Sequence, residues 1–335
     1  MPTTVNKTVI TTGGGDYTTL AAWEAARQRD LVAADEIEVV ECSGSTADTT
    51  ACDVSGWTTD ATRYIVIQSS GSNKHSGVWD TSKYRLSAAS GGWALLNRHN
   101  YTQIIGLQLS YSGATGRVLY YFTSTASLAL NGRVYNNILR NTNTGSGGFI
   151  ADFQRSNATS NVYFYNNLLI DDGQNSGITV SIGATFTGTV YAENNTIVRP
   201  TPNTTGSGIN ASNLCYARNN IIYGFGNTNT YTYTGSNLVG DNNSTDSTDT
   251  MAGTSYSNRV SQTFTFVDAA GLNFKLTAGD TGALGRGMQV SSLSSALTDD
   301  IVGTARPSAN GFVCIGCFET AMQGSMLIRK RRKVI

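Results

Sequence analysis

Along most of the chain apolar and polar residues alternate with a period of two. Examples are Val162-Tyr163-Phe164-Tyr165 and Ile178-Thr179-Val180-Ser181-Ile182, each bounded by clusters of Gly, Asn, Ser and Thr. Such runs between turn formers predict strands, not helices. The runs also recur. Tyr135-Asn136-Asn137-Ile138-Leu139 returns as Tyr165-Asn166-Asn167-Leu168-Leu169, then Glu193-Asn194-Asn195-Thr196-Ile197, then Arg218-Asn219-Asn220-Ile221-Ile222, in steps of 30, 28 and 25 residues. A unit that short cannot enclose a core alone, so each must stack on its neighbours while loops of unequal length interrupt a constant spine. Strands repeated once per coil lie parallel, about 4.8 Å apart, and the pattern places Ile138, Leu168, Ile197 and Ile221 at equivalent positions. One Asn per coil at a sharp turn can bond to the next along the axis and satisfy polar groups otherwise buried unpaired. The expected ladder comprises Asn136, Asn137, Asn166, Asn167, Asn194, Asn195, Asn219 and Asn220.

Composition narrows the class of partner. The 335 residues are 39% hydrophobic and only 14% charged, with Lys+Arg and Asp+Glu equal at 23 each, so no whole-chain field draws the protein to nucleic acid or anionic lipid. Disorder is disfavoured, because it couples low hydrophobicity to high net charge. The N-terminus MPTTVNKTVITTGGGDYTT lacks a basic stretch followed by an apolar one, and no run of about 18 apolar residues follows, so neither classical export nor a membrane span is expected. Five cysteines, an odd number, argue against a disulfide framework. Cys314 and Cys317 form a CxxC without a second ligand pair, and the flanking apolar residues read as a buried strand, so no metal is expected.

With the Asn-Asn-aliphatic strands as its carrier, the chain resembles the right-handed parallel β-helix proteins of the pectate-lyase-like superfamily. The segment Gly14-Gly15-Asp16-Tyr17-Thr18-Thr19-Leu20-Ala21-Ala22-Trp23-Glu24 is similar to the N-terminal cap of phage-encoded and environmental members. Thr18 or Thr19 can N-cap a helix whose Leu20, Trp23 and Leu31 share one apolar face and plug the open end of the solenoid. Phe266 to Thr277, Asp299-Asp300-Ile301-Val302-Gly303, Arg306-Pro307 and Ile315-Gly316-Cys317-Phe318-Glu319 resemble the closing coil of the same group, with Cys317 where a small residue is usual. The resemblance implies an all-β, single-domain right-handed parallel β-helix. Residues 1–37 would form an N-terminal strand and capping helix, 38–276 the coils, 277–324 a closing segment and 325–335 a basic tail.

Enzymes on this scaffold place carboxylates on one face, with calcium, Arg or His as helpers. Here the only His are His75 and His99, before the repeats, and of the polygalacturonase-like motifs only Asp171-Asp172 is present. The remaining acids of interest are Asp152, Asp171, Asp172 and Glu193. Asp171 and Glu193 lie about one coil apart and could form the acid and base or nucleophile pair of a glycosidase, although Asp171-Asp172-Gly173 also reads as a turn. With 16 Tyr, stacking on sugar rings is open to outward-facing aromatics, but Tyr120, Tyr121, Tyr163 and Tyr165 sit in strands that favour aromatics anyway.

Five cations, Arg329, Lys330, Arg331, Arg332 and Lys333, crowd the last seven residues, and ordering them needs an opposing partner. Together with the cap, this leads to the expectation of a non-enzymatic structural protein of a bacteriophage-like virion. It would be a surface decoration, spike or fibre subunit made in the host cytoplasm, with other capsid or tail proteins as partners and a host-surface glycan as candidate ligand. The basic tail would be the attachment element, a homo-oligomer such as a trimer is expected, and no cofactor is. The competing expectation is a tailspike-like polysaccharide depolymerase using Asp171, Asp172 and Glu193; a bacterial adhesin is third, for want of a signal peptide or anchor.

Overall fold

The computed structural model describes residues 1–125, 128–143, 145, 148–156, 158–173, 178–202, 206–226, 231–233, 237–248, 258–295, 297–307 and 313–321. The basic tail, Arg329 to Lys333, lies outside them.

The chain forms a parallel β-solenoid of about seven turns. Three parallel sheets make its sides: sheet 1 has nine strands, from Thr3–Ile10 to Leu238–Asp241, and sheets 2 and 3 have seven each. One coil contributes Gly132–Tyr135 to sheet 1, Ile138–Asn141 to sheet 2 and Phe149–Arg155 to sheet 3; the next contributes Ser160–Tyr165, Leu168–Asp171 and Ile178–Thr185. The corner between sheets 1 and 2 is the Asn-Asn pair. Its first member takes a left-handed backbone, with φ of 60° at Asn136, 53° at Asn166 and Asn194, and 54° at Asn219. Asn tolerates that region better than other side chains, which is why it can turn the chain this sharply.

The corner fixes register, and it corrects one expected equivalence. Ile138 and Leu168 align with Thr196 and Ile221, whereas Ile197 aligns with Leu139, Leu169 and Ile222. The residue after the pair is the aligned one, whatever its polarity. Leu139, Leu169, Ile197 and Ile222 face the core with Val134, Phe164 and Phe153, while Ile138 and Leu168 belong to a second apolar cluster.

At the N-terminal end, Thr3–Ile10 pairs in parallel with Glu36–Ser43, and the helix Leu20–Arg27 lies between them in sequence. Thr19 caps it, accepting from the Ala22 N–H. Leu20 and Trp23 are fully buried, and Trp23 stacks on Trp57 with centroids 5.7 Å apart. Leu31 is buried too, but on a separate short helix, Leu31–Ala34, because Asp30 starts a new cap. At the other end, Phe266–Asp268 and Asn273–Leu276 form an antiparallel hairpin instead of a last parallel coil. Asp268 accepts from the Gly271 N–H and Leu272 is left-handed, so the chain reverses locally. The five cysteines are buried and unpaired. No helix among the described residues is long and apolar enough to cross a membrane.

Candidate functional site

The second Asn of each pair builds the ladder. Asn137, Asn167, Asn195 and Asn220 each donate from Nδ2 to the Oδ1 of the next, at 2.9 to 3.1 Å, and also to a carbonyl of the preceding coil. Two rungs escaped the sequence reading. Asn220 donates to Asn243 and Asn243 to Asn258; the pair Asn242-Asn243 is followed by Ser-Thr, without the aliphatic signature. The first Asn of each pair faces away from the core, and along the axis only Asn219 Nδ2 to Asn194 Oδ1, at 3.3 Å, joins two of them among the described residues. Asn166, Asn194, Asn219 and Asn242 donate to the carbonyls of Asp299, Cys314 and Gly316, Met288 and Arg286 respectively. The C-terminal segment therefore runs back along this corner as a strap. It covers Ile138, Leu168, Ile170 and Val198 with Ile301, Cys317 and Phe318.

The candidate acids are all engaged. Asp171, on sheet 2, pairs with Arg199, and both are buried. Asp172 pairs with Arg140 at 2.6 Å. Glu193, on sheet 1, accepts from Arg218 at 3.3 Å and from the strap N–H groups of Ser294 and Ser295 at 3.0 and 2.7 Å. Asp171 and Glu193 thus lie on different sheets, each with its own arginine. Asp152 pairs with Arg117 at 2.6 Å, and burial raises its carboxyl above the usual range. No cluster of His, Cys, Asp and Glu among the described residues could hold a metal ion.

A cleft of about 690 Å³ opens on the outer face of sheet 1. Strand alternation places two columns of side chains there. Ile65 aligns with Thr102, Thr102 with Gly132, and Gly132 with Val162, so the residues before them, Tyr64, Tyr101, Asn131 and Asn161, follow one another coil by coil. The neighbouring column is Gln103, Arg133 and Tyr163. All seven line the cleft, and among the described residues no carboxylate does. Tyr101 holds a left-handed backbone at φ 49°, uncommon for a bulky residue and of the sort that clusters at functional positions.

A short second ladder supports the floor. Asn100 Oδ1 accepts from the N–H groups of Tyr101 and Asn131, and Asn131 Oδ1 accepts from the Asn161 N–H at 2.8 Å. The amide nitrogens of Asn131 and Asn161 have no partner among the described residues. These positions repeat at steps of 31 and 30 residues, the same period as the Asn pairs; single asparagines in unlike surroundings hid that signal.

The tyrosines of this face divide by use. Tyr163, Tyr191 and Tyr216 stack at 5.0 and 5.5 Å with nearly parallel rings, and Arg133 and Arg218 lie over the two end rings at 5.7 and 4.7 Å. Their faces are covered, leaving edges and hydroxyls outward. Tyr165 stacks on Tyr135 at 4.8 Å and Tyr121 is in the core. Tyr64 and Tyr101, both half-buried at the cleft, make no ring stack among the described residues. Tyr120 lies on sheet 3 under the Arg117 guanidinium, 4.3 Å away.

The fold and this cleft define the class: a parallel β-solenoid with a carboxylate-free, aromatic and amide-lined cleft on one outer face. Comparison with protein-family models, curated proteins and solved structures finds no match for the chain.

Proposed function

We propose that the protein is a non-catalytic, glycan-adhesive solenoid displayed on the surface of a bacteriophage-like particle. The observation that carries the adhesive part is the cleft of sheet 1, with the half-buried, unstacked rings of Tyr64 and Tyr101 in its lining and, among the described residues, unpaired amide donors at Asn131 and Asn161. Apolar ring faces beside fixed hydrogen-bond groups suit a sugar, which has an apolar face and a polar rim. Hydrolysis by paired carboxylates needs two acids flanking one bond; among the described residues the cleft has none, and Asp171, Asp172 and Glu193 are each held by an arginine elsewhere. The particle setting rests on the resemblance of the N-terminal cap to phage-encoded β-helix proteins and on the basic run Arg329 to Lys333 as an attachment element to a capsid or tail protein.

The test is incubation of the purified protein with a panel of host capsules and lipopolysaccharides, read for retention and for new reducing ends. Retention without new ends is the expected result, lost in Tyr64→Ala and Tyr101→Ala. New reducing ends abolished by Asp171→Asn or Glu193→Gln would transfer the assignment to a depolymerase. For the particle setting, deletion of residues 329–335 should leave the solenoid folded while incorporation into particles falls.

A further inference from the structure

We propose that the cleft of sheet 1 selects an acid-bearing sugar residue: the Arg133 guanidinium pairs with its carboxylate or sulfate, and the Asn131 and Asn161 amides donate to its other oxygens. This rests on the glycan-binding reading above and adds the chemical class. Three observations carry it.

Arg133 is exposed at the cleft and has no carboxylate partner among the described residues. Arginines 27, 29, 63, 98, 117, 140, 199, 218 and 306 have one, Arg85 and Arg259 bond backbone carbonyls instead, and Arg286 lies outside the cleft. The Arg133 guanidinium carbon lies 5.7 Å from the centroid of the Tyr163 ring and the Tyr165 hydroxyl is beside it; both neighbours are neutral, so the charge stays available for bidentate oxyanion recognition.

The asparagines of the floor are polarised by their own ladder. The Asn131 oxygen is committed to the Asn161 N–H, so the group Asn131 presents to a ligand is a donor. Donors beside an unneutralised cation favour a ligand rich in acceptors. With no carboxylate among the described residues of the lining, none of them repels an anion.

The remaining observation concerns which anion. Nucleic acid carries a phosphate at every step and is bound by tracks of cations, whereas the described lining of this cleft has a single cation, flanked by neutral amides and tyrosines. An intermittently charged sugar chain fits that spacing.

The experiment is isothermal titration of the full chain with four probes of matched length: an oligouronate, a sulfated dextran oligosaccharide, neutral dextran and oligo-dT. The expected result is at least tenfold tighter binding of the uronate or the sulfated probe than of dextran, and which of the two wins identifies the acid group. Arg133→Gln should bring the acidic probe down to the neutral value with an unchanged melting temperature, since Arg133 is exposed. Asn131→Asp keeps the acceptor for the Asn161 N–H but replaces the donor by a negative oxygen, so it should weaken the acidic probe by more than it weakens dextran, which loses the hydrogen bond alone. Lys83→Gln, outside the cleft, should change nothing. Equal binding of acidic and neutral sugars, or an inert Arg133→Gln, would overturn acid selection and leave the glycan reading standing. Binding of none of the sugars, or of oligo-dT alone, would overturn both.

Discussion

Asn242 and Asn243 are adjacent and chemically identical, yet the corner gives them opposite tasks. Asn242 supplies a left-handed φ of 52° and one outward bond to the Arg286 carbonyl at 3.2 Å. Asn243 is buried in the ladder, bonding the Ala217 carbonyl and receiving the Asn220 N–H. Asn242→Gly retains the backbone freedom and should cost less than about 1 kcal/mol. Asn220→Ala, one rung earlier, strands the Ala192 carbonyl and the Asn195 N–H in the interior and should cost about 2 to 4 kcal/mol. Urea midpoints of the two variants check this, and equal losses would refute the division of labour. Histidine at this scale sets a pH response. The Gly77 N–H donates to His75 Nδ1, so Nε2 carries the proton toward the Asn136 carbonyl, and burial depresses the imidazole to about 3. Because the folded value lies below the unfolded value of about 6.5, the unfolded chain binds more protons between the two, and stability falls as pH drops through that window. From pH 7 to pH 5 His75 should contribute a loss of about 2 kcal/mol. His99, which burial holds at about 4, loses stability in the same window, so His75→Gln should make the melting-temperature profile shallower there without flattening it, and an equally steep profile in the variant would exclude His75 as a source.

At the scale of elements, the coils were legible because each strand carries its own period-two pattern and each corner repeats a dipeptide. What stayed hidden depends on contacts between elements distant in sequence. The hairpin of Phe266–Asp268 and Asn273–Leu276 reads like another strand pair; only the reversal around Gly271 and Leu272 makes it antiparallel. The cleft gathers Tyr64, Tyr101, Asn131, Arg133 and Asn161 from four successive coils, and among its members only Tyr163 stands out in the sequence, as a strand aromatic. Strap docking was equally invisible, since Ile138 and Leu168 read as core and are buried by the strap instead of by the solenoid interior. Leu168→Ala should still cost about 2 to 5 kcal/mol, by lost transfer energy plus a cavity. Arg306 is the pin of that docking: fully buried at its guanidinium, it bonds Glu319 at 3.0 Å, Asn166 Oδ1 at 2.9 Å and the Gly316 carbonyl at 2.9 Å. Arg306→Met leaves Glu319 buried without its cation, a loss of about 3 to 5 kcal/mol, and limited proteolysis should then cut within residues 283–307 before any coil. Cleavage starting in a coil would show that the strap is not the element Arg306 holds.

At the scale of the whole molecule, a solenoid is nearly one-dimensional, since each coil touches only its neighbours and stability is close to a sum of coil and interface contributions. Such a chain can fray from an end. The strap changes that arithmetic by joining distant coils: Arg286 and Met288 meet Asn242 and Asn219, Cys314 and Gly316 meet Asn194, and Asp299 meets Asn166. These corners belong to successive coils, so fraying the last ones requires the strap to be released from the earlier ones as well. The N-terminal end is closed by the helix Leu20–Arg27, with Trp23 sealed under it and Glu38 bonded to Arg27 at 2.8 Å. Truncation after Leu276 should therefore leave the N-terminal coils folded and break cooperativity at the other end. The coils carrying Asn194 to Asn243 should gain hydrogen exchange and melt in a separate, earlier transition, while amides between Val9 and Leu139 keep their protection. A single transition at the original midpoint in the truncated chain would mean that the stacked coils are cooperative without the strap, and that its bonds to the corner asparagines add little.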